Sequence, residues 1–242
     1  MPGFSVIAHR DALTVPTSEL VIANERLEGR GPVLEHLHPA TEEVVFEFAA
    51  AGDELVDQAI AAAREAFDKG PWPTMAGKDR AAALRRIAAN IRADKANLDA
   101  LLSLDNATPV SFSGYYQMSA EYAADLFDHH AGWIDKVTGQ TFPTWEEGQP
   151  LMLTFDEPVG VVGVITPWNA PVSLLCQKLA PALAAGCTVV AKPSELAPLT
   201  TFRIAELIAD ADLPPGVFNM IGGGADVGEA LVADPRVDKV SF

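Results

Sequence analysis

Three short stretches in the second half of this 242-residue chain carry residue types that can do chemistry. The first is Thr166-Pro167-Trp168-Asn169, directly after an apolar, β-branched run at 159–165. Pro167 fixes the backbone, Trp168 offers a flat wall, and the Asn169 amide can direct an N–H at an oxygen that gains negative charge. An asparagine at a strand–helix junction equally suits a helix cap. The second stretch is Lys192-Pro193-Ser194-Glu195. A lysine and a carboxylate on a proline-stiffened loop can both reach a sugar with two hydroxyls, and the carboxylate disfavours a phosphate there. A plain surface ion pair is the other reading. The third is Gly222-Gly223-Gly224 with Gly228, whose spacing is wider than that of the G-x-G-x-x-G fingerprint. Glycines in such a run serve a tight turn or the close approach of a ligand.

Ligands of open α/β sheets sit beyond the carboxyl ends of the strands, so these stretches require a parallel sheet beneath them. Residues 159–165 read as a strand covered on both faces. Its two glycines point to close approach by other backbone or by a ligand. Val172, Leu175, Leu179, Ala182 and Leu183 recur at helical spacing, and Gly186 suits the position just past a helix end. Residues 187–191, 217–221 and 237–242 read as further strands. Between them lie a helix opened by Thr200 or Thr201 and a short helix over 225–232. The order from 159 onward is βαβαβαβ, an α/β class with an open, mostly parallel Rossmann-like sheet flanked by helices.

The first half differs. Residues 20–26 and 34–48 read as short extended segments. Asp53 is a candidate N-cap for a helix bearing Val56, Ala59, Ile60, Ala63 and Phe67, stopped by Gly70-Pro71-Trp72-Pro73. Helical faces follow at Leu84, Ile87 and Ile91, at Leu98, Leu101 and Leu102, and over 119–134. Leu151, Leu153 and Phe155 alternate as in a partly exposed strand. The expected division is extended segments over 1–52, helices over 53–135, a hairpin-like bridging segment over 136–158 and a dinucleotide-binding region over 159–242. The change of grammar falls near Gln149-Pro150.

Composition narrows the function classes. Apolar residues make up 49% and charged residues 21%, the profile of a folded globular chain. A formal net charge of -16 disfavours nucleic acid and anionic membrane partners. Cys176 and Cys187 lie in apolar surroundings and read as reduced, buried thiols rather than nucleophiles. His9, His36, His38, His129 and His130 form no ligand spacing, so no metal is expected. No membrane span or secretory leader is read, which makes the cytoplasm the expected compartment.

Taken jointly and in order, these loops resemble the aldehyde dehydrogenase superfamily. The resemblance is carried by residues 157–171, from Glu157-Pro158-Val159-Gly160 to Trp168-Asn169-Ala170-Pro171. It continues through Ala184-Ala185-Gly186 and Lys192-Pro193-Ser194-Glu195, Leu213-Pro214-Pro215-Gly216, the glycine run with Gly228, and Asp234-Pro235-Arg236-Val237-Asp238-Lys239. Looser matches lie at His38-Pro39-Ala40-Thr41 and Leu104-Asp105-Asn106. Such enzymes oxidise a small-molecule aldehyde to a carboxylic acid with NAD or NADP, through a cysteine thiohemiacetal and a thioester. The resemblance implies that Asn169 holds the developing oxyanion and that Lys178 is a buried lysine associated with proton transfer. It likewise implies that Ile165, Thr166, Pro167 and Trp168 form the strand end against which the cofactor lies. Lys192 and Glu195 then hold the adenosine ribose, with Glu195 favouring NAD over NADP, and Gly224 and Gly228 are close-approach glycines.

In the family, the strand matching the end of this sequence leads into a Thr-Gly-Ser turn. A general-base glutamate and the nucleophilic cysteine follow later, in a catalytic domain. The sequence of 242 residues contains none of these, so it is expected to be a front part that cannot turn over alone. A homodimer or homotetramer is expected of the full-length enzyme. The rival reading is a non-enzymatic cofactor-binding or assembly module.

Overall fold

The computed structural model describes residues 12–109, 115–145, 147–148 and 150–242. His9, the stretch at 1–11 read for a leader, and Gln149 lie outside the described residues. Four short strands come first: β1 (Leu20–Ile22), β2 (Glu25–Leu27), β3 (Val33–Leu37) and β4 (Val44–Ala49). The helices α1 (Gly52–Asp68), α2 (Gly77–Ala93), α3 (Lys95–Asn106) and α4 (Ala120–Ala131) follow, then a small hairpin of β5 (Thr141–Phe142) and β6 (Met152–Leu153). The last third alternates: β7 (Val161–Ile165), α5 (Pro171–Ala185), β8 (Thr188–Lys192), α6 (Pro198–Ala209), β9 (Phe218–Met220), α7 (Ala225–Ala233) and β10 (Lys239–Ser241).

The main sheet has the order β10-β7-β8-β9-β1-β2. Its β7, β8, β9 and β10 are parallel, and β1 joins β9 antiparallel through Val21 and Met220. Strand β7 is buried from Val161 to Val164, as a β-branched run between two helix layers must be. On one face α5 and α6 pack together against α2, with α4 on α5; on the other lie α1 and α7. Helix α1 turns Leu55, Val56, Ala59, Ile60 and Ala63 inward, the three-and-four spacing of an amphipathic helix. Phe202 of α6 meets Phe46 and Phe48 of β4 with ring centroids 5.6 and 5.0 Å apart, which ties the β3–β4 hairpin to the sheet. Arg92 joins α2 to α4 by bonds to Glu121, Asp125 and Asp128 of 2.8, 2.5 and 2.6 Å.

Several expectations change in detail. Residues 20–26 are two strands rather than one segment, because Ala23 and Asn24 reverse the chain with φ of 51° and 68°. This antiparallel pair extends the main sheet instead of standing apart from it. Residues 34–48 likewise fold back on themselves as β3 and β4. Asp53 does not cap α1: the capping position is Ala51, whose amide bonds the Gly222 carbonyl at 2.8 Å. Asp53 sits in the first turn, where its charge faces the positive end of the helix. Helix α6 opens at Pro198, ahead of Thr200 and Thr201, because proline's fixed φ and missing N–H suit the first helical position. The alternation at 151–155 yields only a two-residue strand, exposed on both faces, since no second layer covers it.

Removing the Phe202 ring should open a cavity between α6 and β4. Phe202→Ala is expected to lower stability by about 3–5 kcal/mol in urea unfolding, with the m-value retained.

Candidate functional site

The strand order creates the site. From β7 the chain moves one way to β8 and β9, then α7 carries it back to β10 on the other side of β7. Crossovers of one hand place helices on opposite faces when the direction reverses, and they diverge above the strand ends. A cleft of about 530 Å³ lies there, lined by Ile165 at the end of β7, Lys192 at the end of β8, Gly224 and Gly228 at the start of α7, and Phe242. Four residues singled out in the sequence thus line one concavity.

The glycines divide by physical cause. A methyl group on Gly222 would come within 2.7 Å of the Phe48 ring, so this glycine serves packing. Gly223 has φ of 155°, a backbone that side chains rarely adopt. Gly224 is the extended residue that starts α7. Gly228 is different. It sits inside α7, where glycine weakens a helix, and a methyl there would meet Lys192 Cδ at 3.7 Å and Ile165 Cδ1 and Lys192 Cε each at 3.9 Å. Those are ordinary contacts, so the protein's own packing does not require glycine there.

Lys192 is buried, and its Nζ donates to the Pro193 carbonyl at 3.2 Å and to Glu195 Oε2 at 3.3 Å. Glu195 is more open, with 37% of its side chain exposed, so the pair presents a carboxylate to solvent and a lysine beneath it. Thr166 is bound to Lys192 through its amide at 3.2 Å, while its buried hydroxyl has no partner. Pro167, Trp168 and Asn169 lie exposed between β7 and α5. Helix α5 has no side-chain cap, so the amide of Asn169 is not consumed by the capping that its position also suited.

Lys178 departs from the expectation of a buried lysine. It is half-buried on α5, with Nζ 3.4 Å from Ser241 Oγ. It lines a separate cleft of about 410 Å³ with Glu157, Lys239 and Ser241, because the face of α5 that carries it looks toward the edge strand β10. Both cysteines are buried free thiols, and burial pushes the Cys176 thiol well above its usual range.

One polar cluster near the site was missed in the sequence. Asp105, in the last turn of α3, is fully buried. It accepts from the Leu199 amide at 2.8 Å, the Thr200 amide at 2.7 Å and the Thr200 hydroxyl at 2.6 Å. His36 Nε2 on β3 lies 3.4 Å away without hydrogen-bond geometry. Burial pushes the Asp105 carboxyl up to about 7 against the pull of those three bonds, and burial lowers His36. The available signal was periodicity: Leu98, Leu101, Leu102 and Asp105 share the buried face of one helix.

A reversing parallel sheet with an inward lysine, an adjacent carboxylate and an open glycine helix at the reversal defines a Rossmann-like α/β protein. The chain belongs to the aldehyde dehydrogenase family, whose pattern matches residues 27–242. It is 41% identical over 233 residues to "Aldehyde dehydrogenase, cytosolic 1" of Elephantulus edwardii, covering 95% of this chain and 46% of that protein. Identity to the mitochondrial aldehyde dehydrogenase of Equus caballus is 42% over 208 residues, covering 85% of this chain and 41% of the relative. Among solved structures, the NAD+ complex of an aldehyde dehydrogenase from Bacillus cereus superposes with a TM-score of 0.87 at 36% identity, over 93% of this chain and 45% of that one. An apo betaine aldehyde dehydrogenase variant from Staphylococcus aureus gives a TM-score of 0.90 at 34% identity, over 97% and 46%. The chain therefore spans about half the length of the relatives it matches. Among the described residues no helix is long and apolar enough to cross a membrane.

Two substitutions separate the glycine roles. Gly222→Ala should destabilise by about 1–3 kcal/mol through its clash with Phe48, while Gly228→Ala should stabilise by about 0.5–1 kcal/mol, both read by urea unfolding. Asp105 sets a pH dependence. Its folded value, about 7, lies above its ordinary 3.8, so its contribution is complete below 3.8 and is lost as pH rises through 7. Unfolding free energies measured from about pH 4 to 8 should therefore fall more steeply for the parent than for Asp105→Asn.

Proposed function

We propose that this chain forms the cofactor-binding part of an NAD-dependent aldehyde dehydrogenase that converts an aldehyde to a carboxylic acid. The observation that carries the reading is Gly228: a helix keeps a glycine that its own packing does not need, above the cleft where Ile165 and Lys192 end their strands. A bound dinucleotide backbone would use that room. The chemistry NAD supplies when bound is acceptance of a hydride. The residues present fit it: Lys192 brings an amine to a largely apolar cleft, and Glu195, bound to that amine, stands open to solvent beside it.

In this reading Glu195 accepts from a ribose hydroxyl and Lys192 donates to the same sugar, so a phosphate on the 2′ oxygen meets a carboxylate. NAD is then preferred over NADP. Pro167 and Trp168 wall the strand end with Ile165 and Thr166, and Gly224 and Gly228 admit the adenine and diphosphate side. Asn169 directs its amide at the oxyanion that forms when a nucleophile attacks the aldehyde carbon, a contribution of about 3–4 kcal/mol in related chemistry. Lys178 is assigned to proton transfer at the edge of β10.

We infer also that the polypeptide 1–242 does not oxidise aldehydes by itself. The attack needs an accessible thiolate, and both of its thiols are buried and apolar in their surroundings. Association of copies in the whole enzyme, as a homodimer or homotetramer, is supported by the β5–β6 hairpin and its flanks, where Phe142, Trp145, Leu151, Met152 and Phe155 are exposed. Relatives named cytosolic and mitochondrial both occur, so the relatives' names alone assign no compartment.

Calorimetric titration with NAD and NADP tests the cofactor reading. NAD should bind the parent chain more tightly, and Glu195→Ala should bring the two affinities together by about a factor of ten. Equal affinities in the parent, or an unchanged ratio in the variant, would sink the ribose assignment. Formation of reduced nicotinamide from a panel of aldehydes, above the level of Asn169→Ala, would overturn the inferred inactivity.

A further inference from the structure

Helix α6 begins in the interior, where its first amides cannot turn to water. Its capping position is Ala197, which has no side chain to offer them, and Leu199 and Thr200 are fully buried. Asp105 fills that need from another helix. One oxygen takes the Leu199 amide, and the other takes the Thr200 amide and hydroxyl. A carboxylate at a helix N-terminus also answers the positive end of its dipole.

What lies just before α6 gives this contact a consequence. Only residues 193–197 connect Lys192, the last residue of β8, to Pro198, the first of α6. The strand end is fixed to β7 by the bond from the Thr166 amide to the Lys192 carbonyl. The helix end is fixed by Asp105. With both ends held, a loop this short has little freedom to move Glu195 relative to Lys192. The facing side chains from the packed elements are Thr200 on α6 and His36 on β3, with His38 behind His36. Among the described residues no lysine or arginine forms a salt bridge with Asp105, and the nearest titratable ring is that of His36.

We propose that Asp105 is a positioning residue for the loop carrying Glu195: its clamp on the first amides of α6 sets where the carboxylate stands, and through it the preference between the two dinucleotides. Asp105 touches no ligand in this account. It rests on the cofactor reading of the preceding subsection. The β3–β4 hairpin becomes part of the same device, because His36 lies against the clamp.

The experiment compares the parent chain with Asp105→Asn in two measurements. The first is titration with NAD and NADP; the second is amide hydrogen exchange over residues 193–200. Asn keeps the side-chain volume and one acceptor but turns an N–H₂ toward donors. The expected result is faster exchange at 193–200 with the central strands still protected, and a preference for NAD reduced by about tenfold. Unchanged exchange overturns the proposal. So does an equal loss of affinity for both dinucleotides, which is what a merely structural role would give. A parent chain that binds neither dinucleotide defeats the cofactor reading instead, and the exchange comparison still decides whether Asp105 holds the loop. Should Asp105→Asn fail to fold, Thr200→Val removes only the hydroxyl donor. It should move both readouts the same way by a smaller amount, and no movement in either overturns the clamp.

Discussion

Strand β7 must accept a parallel neighbour on each edge and a helical layer on each face, and nearly everything else follows from that demand. A strand so placed can show no polar side chain along most of its length, which accounts for Val161, Val162 and Val164. Gly163 follows from the same crowding: a methyl there would stand 3.3 Å from both Leu231 and Val237, on the α7–β10 side. Gly160, with φ of 125°, lets the chain enter the strand beside Asp238. The carboxylate of Asp238 takes the Val161 amide and Arg64 of α1, each at 2.7 Å, so the first residue of the strand is fixed from two directions.

The reversal around β7 separates two kinds of polar group. Several of those below the strand ends hold elements together and are satisfied within the protein. Asn219, fully buried on β9, is an example: its amide donates to Val189 and Gly216 carbonyls while its oxygen accepts from Ala23, knitting β1 to β9. Those above the strand ends are left partly open. Asn169 is exposed and not used as a cap, and Glu195 keeps solvent access, while Thr166 is buried with its hydroxyl unpartnered. Buried polar groups ordinarily find partners, and the Thr166 hydroxyl is one of the exceptions among the described residues.

Long ion-pair networks contribute to assembly of the layers but do not form the site. Arg92, Arg203 and Arg236 each gather two or more carboxylates, which hold these guanidinium groups above their ordinary range. Arg203 links α6 to Asp94, at the junction of α2 and α3, and Arg236 links the start of the β10 segment to α1. All are partly solvated, so each pair adds modestly. Their value lies in connecting elements far apart in sequence. The excess of acidic residues at the surface leaves these arginines with more than one available partner.

By itself the sequence determined the elements and the class of fold. Apolar period separated helices from strands, β-branched runs marked the covered strands, and Gly186 sits at a helix end for a local steric reason. The start of α6 at Pro198 reads two or three residues late in the sequence, at Thr200 or Thr201. The loops after β7 and β8 and the glycine run were legible because strand-end position and residue type are both written along the chain. What only the tertiary structure decided depends on contacts between distant residues. Local sequence does not say that β1 extends the sheet beside β9, since one pair of opposed residues fixes it. Nor does it distinguish Gly222, pressed on Phe48, from Gly228, where a methyl would make only ordinary contacts. Asp105 is the clearest case. Its helix reveals that it is buried, but the amides it satisfies lie some 95 positions away, and only the folded chain brings them together.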